Sequence, residues 1–358
     1  MLLRRFIYLC EGLMNSMPVY ILGIESSCDE TSASVTADGV ILSNIVAGQE
    51  VHARYGGVVP ELASRAHQQQ IIPVVDAALQ EAGIVPSDLS DIAFTRGPGL
   101  IGSLLVGSSF AKGMAISLDI PLIEVNHMQA HVIANFAFRA EDKKVQPGFP
   151  FLCLTVSGGH TQLVVVNSYT EMEVIGETRD DAAGEAIDKA ARMLGLGFPG
   201  GPALERLAAE GDPEAFSFPV AMSRDPGLGF SFSGLKTALV YICRDLGESG
   251  TRERAADLAA GFQAAVVDQL VTKVRRALDT GDWPAVALGG GGAANGPLRL
   301  AVAELCGERG IPFKEVSREL CTDNAAMIGS AARFSQPLEF PDYLEFDAFA
   351  TGPRGVRS

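Results

Sequence analysis

Two stretches of this chain follow one plan. YILGIESSCDETSASVTADGVILSNIVA (20–47) reads as a strand, a polar turn at Ser26 to Glu30, a second strand, a turn at Asp38-Gly39 and a third strand. FLCLTVSGGHTQLVVVNSYTEMEVIGETRDD (151–181) repeats that order, with Ser157-Gly158-Gly159-His160 as its first turn. Alternating apolar residues bounded by Gly-bearing turns mark strands joined by hairpins. Helical patterns follow each meander, at 61–82 and 98–118 after the first and at 184–196 and 201–211 after the second. A sheet must bury its apolar face against a second layer, and these helices can supply it. The expectation is an α/β protein of two duplicated lobes facing a cleft. The first lobe is expected over 17–140 and the second over 151–335, its last helix reaching back to the first lobe. The charged, Pro- and Gly-bearing segment EDKKVQPGFP (141–150) would link them, and 336–358 would form an irregular tail.

Composition narrows the class. The 358 residues are 47% hydrophobic and 20% charged, with no run of about 18 apolar side chains, so a globular chain with no membrane span is expected. MLLRRFIYLCEGLMNS imitates a signal peptide, but Glu11 interrupts the apolar stretch and no small-residue cleavage site follows. Residues 1–16 are therefore expected to be a non-core extension preceding Met17. Six cysteines stand without a C-x-x-C pair, which fits a reduced, cytoplasmic setting and no zinc ribbon. The net charge of −15 disfavours a protein coated in nucleic acid. Contact with RNA would require a local basic patch or a partner.

Five motifs can carry chemistry. In VNHMQAHVIAN, His127 and His131 are one helical turn apart, a spacing suited to one metal ion, although two incidental helix histidines would look the same. The turn Val156 to His160 can cradle an anion on its backbone N–H groups, or can simply be a tight hairpin. ALGGGGAANGPLRL (287–300) follows a strand and opens a helix. Such loops bind phosphate, and Gly289-x-Gly291-x-x-Ala294 with Glu315 even matches a dinucleotide fingerprint, while Asn295 is also a natural N-cap. A Walker A loop is missing. Further along, Asp188 inside a helix and Gly201 at the start of the next suit ribose hydroxyls, yet Asp188 can equally pair with Arg192 at i+4. In CTDNAAMIGSAARF, Thr322 or Asp323 reads as an N-cap. Should the cleft bring the lobes together, Asp323 becomes a third metal ligand, leaving open positions as a catalytic site requires.

GIESSCDETSASV, GPGLIGSLLVG, NHMQAH, VSGGHTQ, DDAAGEAIDKAARMLGLGFPGGP, FSFSGLKTA, GGGAAN and TDNAAMI together resemble the universal tRNA threonylcarbamoyltransferase family (TsaD/Kae1) in its bacterial branch. The likeness runs from about Gly23 to Arg333. It implies the two-lobed fold of the actin, Hsp70 and hexokinase (ASKHA) superfamily, with a nucleotide cleft between the lobes. It also implies one divalent metal on His127, His131 and Asp323, iron(II) in the bacterial branch, with zinc or magnesium as alternatives. Thr155, Val156, Ser157, Gly158, Gly159, Asp188, Gly201 and Asn295 would bind threonylcarbamoyl-adenylate, and Glu205 would contact ribose. The archaeal branch carries a tyrosine ligand before its V-S-G-G turn where this chain has Thr155, so substrate or water would complete the metal shell. The implied reaction moves the threonylcarbamoyl group to the exocyclic amine of the adenosine following the anticodon in tRNAs reading ANN codons, releasing AMP. The implied partners are tRNA, a TsaB-like paralogue forming a heterodimer and a TsaE-like ATPase. The family's older name suggests a metallopeptidase, but Met128 stands where the H-E-x-x-H glutamate would be the general base. A small-molecule kinase of the same superfamily is the other alternative.

Overall fold

The computed structural model describes residues 18–55, 57–142, 146–219, 225–345 and 347–350. The expected extension 1–16 lies outside them, as do parts of the expected linker and tail. The first meander forms β1 (Tyr20–Glu25), β2 (Glu30–Ala37) and β3 (Val40–Gly48), and β4 (Asp91–Gly97) and β5 (Leu122–Asn126) complete a sheet of order β3-β2-β1-β4-β5. The second forms β6 (Phe151–Val156), β7 (Thr161–Val166) and β8 (Met172–Glu177), joined by β9 (Val286–Gly289) and β10 (Phe313–Lys314) in the order β10-β9-β6-β7-β8. In both sheets the meander is antiparallel, and the strand that opens it pairs parallel with the fourth. The duplication read from the sequence is thus present strand for strand.

Burial follows position in the sheet. Central β6, FLCLTV, is buried at all its residues, as a strand covered on both faces must be. Edge strand β3 alternates over its first half. Helices α1 (Pro60–Ala82) and α2 (Ile101–Leu118) cover the first sheet, and the short α3 (His127–Ile133) leaves β5. The second sheet carries α4 (Ala183–Met193), α5 (Gly200–Ala208), α6 (Ser233–Glu253), α7 (Ala255–Leu278) and α8 (Gly296–Arg309). Local chemistry sets several ends. Pro60 opens α1 and Gly83 closes it at φ 70°, a left-handed conformation glycine adopts without steric cost.

Helix α2 bears on the expectation of no membrane span. By length and composition it is apolar enough to cross a membrane, although Ser103, Leu104, Gly107, Ser108, Ala111 and Ala115 are buried against the first lobe. Ile101, Leu105 and Ile116 on its other side stay exposed.

The last helix, α9 (Ala325–Ala332), returns to the first sheet. All eight residues of AAMIGSAA are buried. Small side chains let it lie directly on β1 and β2: a Cβ on Gly23 would stand 2.6 Å from the Ala325 carbonyl oxygen and 2.8 Å from the Gly329 nitrogen. Ala325 N donates to Ser32 Oγ at 2.8 Å and Ala326 N to Asn44 Oδ1 at 3.1 Å. Beyond it the chain follows the sheet edge, exchanging hydrogen bonds between Leu122 and Leu338 and burying Tyr343 in the first core.

Gly23→Ala should therefore destabilise the protein by about 1–3 kcal/mol through overpacking. Gly281→Ala, where an added Cβ meets nothing within 4 Å, serves as the control. Urea midpoints check this, and equal midpoints for the two variants would show that α9 yields freely.

Candidate metal and substrate site

Strand β9 of the second sheet ends at Gly289, where an added Cβ would stand 2.9 Å from the His131 carbonyl oxygen after β5 of the first, and the carboxyl ends of such strands are where open α/β sheets bind ligands. Strand β5 ends in Asn126, whose side chain accepts from Met128 N (2.9 Å) and Gln129 N (3.1 Å) and so caps α3. That cap makes His127 the first helical residue and puts His131 one turn later on the same side. Their rings pack edge to face with centroids 4.6 Å apart.

Asp323 arrives from the other half of the chain. Its Oδ1 lies 3.1 Å from His131 Nε2 and 3.6 Å from His127 Nε2, and one donor atom from each of the three residues falls within 4.8 Å of the others. Here the N-cap reading is corrected. Asn324 caps α9 by accepting from Met327 N at 3.1 Å, and the cap's one-residue shift leaves Asp323 free to face the histidines.

Two imidazole nitrogens and a carboxylate oxygen, converging from buried or half-buried positions, fit a divalent metal with open positions. Charge favours it too. Burial opposes ionisation of His127, but the charges of Asp323 and Glu25 outweigh it and raise the imidazole to about 9. Asp323, likewise opposed by burial, is lowered to about 2 by His127 and His131. Glu30, at the start of β2, is pushed well above the usual carboxylate range by burial and by Asp323 and Asp29. The pocket thus gathers more carboxylates than its imidazoles can neutralise.

The residues expected to bind substrate form a strip along the second lobe. The turn between β6 and β7 closes with Ser157 N donating to the His160 carbonyl at 2.8 Å. It rests on the start of α4, where a Cβ on Gly184 would stand 2.5 Å from the Ser157 carbonyl oxygen. On α4, half-buried Asp188 accepts from Gly200 N at 2.9 Å, tying α4 to the start of α5 rather than standing as an exposed helix charge. Burial raises its pKa, with the Gly200 and Gly201 amides opposing. Glu205 on α5 accepts from Asn295 Nδ2 (3.1 Å) and from Gly296 N (3.0 Å), and Asn295 Oδ1 accepts from Leu298 N to cap α8. A Cβ at Gly158, Gly159 or Gly201 would meet open space.

Thr155 and Val156 differ from the others, since their side chains are buried. Thr155 Oγ1 donates to the Gln162 carbonyl at 3.3 Å, and its methyl group faces Gly289. Val156 backs Gly290 and Gly292. The ribose role read for Glu315 is corrected: that side chain accepts from Arg299 Nη1 at 3.0 Å, and the same guanidinium grips the Ala293 carbonyl of the glycine loop.

Three residues that carry no assignment in the sequence belong to the site. Glu25 ends β1 fully buried, 3.1 Å from His127 Nδ1, and Ser27 Oγ lies at the same distance. Thr95 on β4 donates to Glu25 at 2.6 Å. The signal was available in YILGIE, a carboxylate closing a strand that is otherwise apolar.

The pKa values fix a pH dependence for metal-free protein. The folded His127 value of about 9 lies above the ordinary 6.5, so its contribution is fully present below 6.5 and is lost as pH rises through 9. Denaturation midpoints of metal-free protein should fall across that window, and His127→Asn should flatten the fall. A flat wild-type profile would contradict the charge arrangement.

Comparison with known proteins bears on the family and the fold. A family model described as TsaD, tRNA N6-adenosine threonylcarbamoyltransferase, matches residues 40–330. The chain is 54% identical over 315 residues to the tRNA N6-adenosine threonylcarbamoyltransferase of Phocaeicola vulgatus, covering 87% of this chain and 92% of that one. It is 52% identical to that of Cytophaga hutchinsonii, over 93% and 94% of the two chains. Among solved structures, component A of the Acidaminococcus fermentans (R)-2-hydroxyglutaryl-CoA dehydratase superposes with a TM-score of 0.51 at 15% identity, covering 88% of this chain and 97% of that one. HypF of T. kodakarensis superposes with a TM-score of 0.55 at 16% identity, covering 89% and 48%. These likenesses bear on the fold alone, two α/β lobes that each carry a five-stranded mixed sheet.

Proposed function

The chain belongs to the TsaD family of tRNA N6-adenosine threonylcarbamoyltransferases, and from that premise we propose how its residues divide the work. It is an enzyme acting on tRNA. The donor is threonylcarbamoyl-adenylate, and the acceptor is the N6 amine of the adenosine following the anticodon in tRNAs that read ANN codons. In the transfer the amine nitrogen bonds to the carbamoyl carbon. The bond from that carbon to the phosphate oxygen breaks, AMP leaves with the electron pair, and the nitrogen gives up a proton.

The observation that carries this reading is the convergence of His127, His131 and Asp323 beside the strip from Ser157 to Asn295. The adenylate lies along that strip. Gly158, Gly159 and Gly201 leave room for it against the backbone, and the successive N–H groups of Gly158 and Gly159 face its phosphate. Asp188 and Glu205 accept from ribose hydroxyls, with Asn295 beside them. Thr155 and Val156 support the turn and the glycine loop from beneath. We assign the three-residue centre one divalent metal, iron(II), with zinc and magnesium as alternatives; when bound it supplies Lewis acidity to the threonylcarbamoyl oxygens. Met128 after His127 leaves no glutamate to activate water, which argues for holding a substrate over hydrolysing a peptide.

We assign the protein to the cytoplasm, in keeping with its tRNA substrate and with five free cysteines among the described residues. A TsaB-like paralogue docks on the outer side of α1 and α2, where Ile72, Ile101, Leu105 and Ile116 are exposed in a chain otherwise rich in acidic side chains. A TsaE-like ATPase completes the assembly, and such partners can share the tRNA footprint of a subunit whose net charge is −15.

His131→Ala should lose about one metal per chain, as expected of a three-ligand site, together with tRNA modification, while staying folded. Metal analysis and mass spectrometry of the modified adenosine check both, and full modification by metal-free His131→Ala would refute the role. Leu105→Glu should abolish co-elution with the paralogue on size exclusion and leave the metal content intact. Undiminished co-elution would move the interface elsewhere.

A further inference from the structure

We propose that Glu25 is the positioning residue of the metal centre, holding His127 as its Nδ1–H tautomer so that Nε2 is free to ligate. The inference rests on the metal reading above and extends it to a residue outside the three ligands.

The Glu25 carboxylate is fixed from three directions. Oε1 accepts from Ser27 N at 2.5 Å in the turn that follows β1. Oε2 accepts from Thr95 Oγ1 at 2.6 Å on β4 and faces His127 Nδ1 at 3.1 Å on α3. The side chain is fully buried, so solvent does not compete for these bonds. An ionised carboxylate only accepts, hence the ring nitrogen beside it must carry the hydrogen. Once a bound metal has displaced the second proton of the imidazolium, the lone pair falls on Nε2, the atom that looks toward Asp323 at 3.6 Å. Ser27 Oγ, 3.1 Å from the same Nδ1, cannot make this choice, because a hydroxyl both donates and accepts.

His131 shows what the alternative looks like. Its Nδ1 is buried with no hydrogen-bond partner among the described residues, so only the Nε2 contact with Asp323 and packing orient the ring. The two imidazoles are therefore held differently, one with a charged acceptor on its far nitrogen and one without. Carboxylate partners on the far nitrogen of a ligating histidine both orient the ring and raise its basicity.

Glu25→Gln tests this with nearly unchanged shape. The amide can donate to Nδ1, admitting the Nε2–H tautomer, which cannot ligate. With zinc(II) as the probe and a chelator in competition, Glu25→Gln should bind about 10- to 100-fold more weakly than wild type, the usual loss for an outer partner. Glu25→Asp, which keeps an acceptor, should recover part of that loss. Nitrogen-15 spectra of zinc-loaded wild type should show His127 protonated at Nδ1. Wild-type affinity in Glu25→Gln, or a wild-type spectrum with the hydrogen on Nε2, would overturn the assignment of Glu25. Failure of the wild type itself to bind zinc, iron(II) or magnesium would instead overturn the metal reading and this inference with it. Should Glu25→Gln not fold, the wild-type spectrum and Glu25→Asp decide the matter.

Discussion

Asp323 and His131 stand 3.1 Å apart, although one belongs to the end of the second strand-and-helix set and the other to the end of the first. No local preference creates that contact. It follows from the seating of α9 on the first sheet, which is possible because Gly23 and the small residues of AAMIGSAA let helix and strand backbones approach closely. With the helix seated and Asn324 serving as its cap, the residue before the cap projects between the lobes. The candidate metal centre is thus a consequence of backbone packing beside it.

Electrostatics tightens the same region. Glu25 is buried and Glu30 and Asp323 are half-buried near two imidazoles, and loss of solvent alone would push all three toward neutrality. Glu25 and Asp323 are nonetheless lowered, since each faces a histidine, while Glu30 is raised by the acids around it. Such a pocket suits a cation. The strip proposed for the substrate is built by another principle, with backbone amides and open glycines along it, so the two halves of the candidate site divide charge from shape.

Much of this is written locally and can be read there. The two meanders, the turns at Asp38-Gly39 and Ser157 to His160, the helices after each sheet and the Asn295 cap all follow from periodicity and turn chemistry within a few residues. The histidine pair shows its spacing in the same way. What sequence spacing does not reveal is which of Thr322, Asp323 and Asn324 caps α9, because all three are good caps and the packing of the helix makes the choice. Glu315 fails for a related reason. The fingerprint spacing is satisfied, but Arg299 claims the carboxylate. Glu25 goes unassigned because its partners, Thr95 and His127, are 70 and 102 positions away.

The return of α9 also bears on the order in which the molecule can be completed. The hydrogen bond from Ala325 N to Ser32 Oγ spans 293 positions. During synthesis, the first five-stranded sheet leaves the ribosome long before the helix that lies on β1 and β2. Until that helix emerges, apolar residues of the first half that face it are without their native cover, and the two histidines wait without their carboxylate. The first lobe is not a contiguous length of chain, so a cut between the sheets would yield one fragment lacking a cover and another carrying a helix with nothing to lie on.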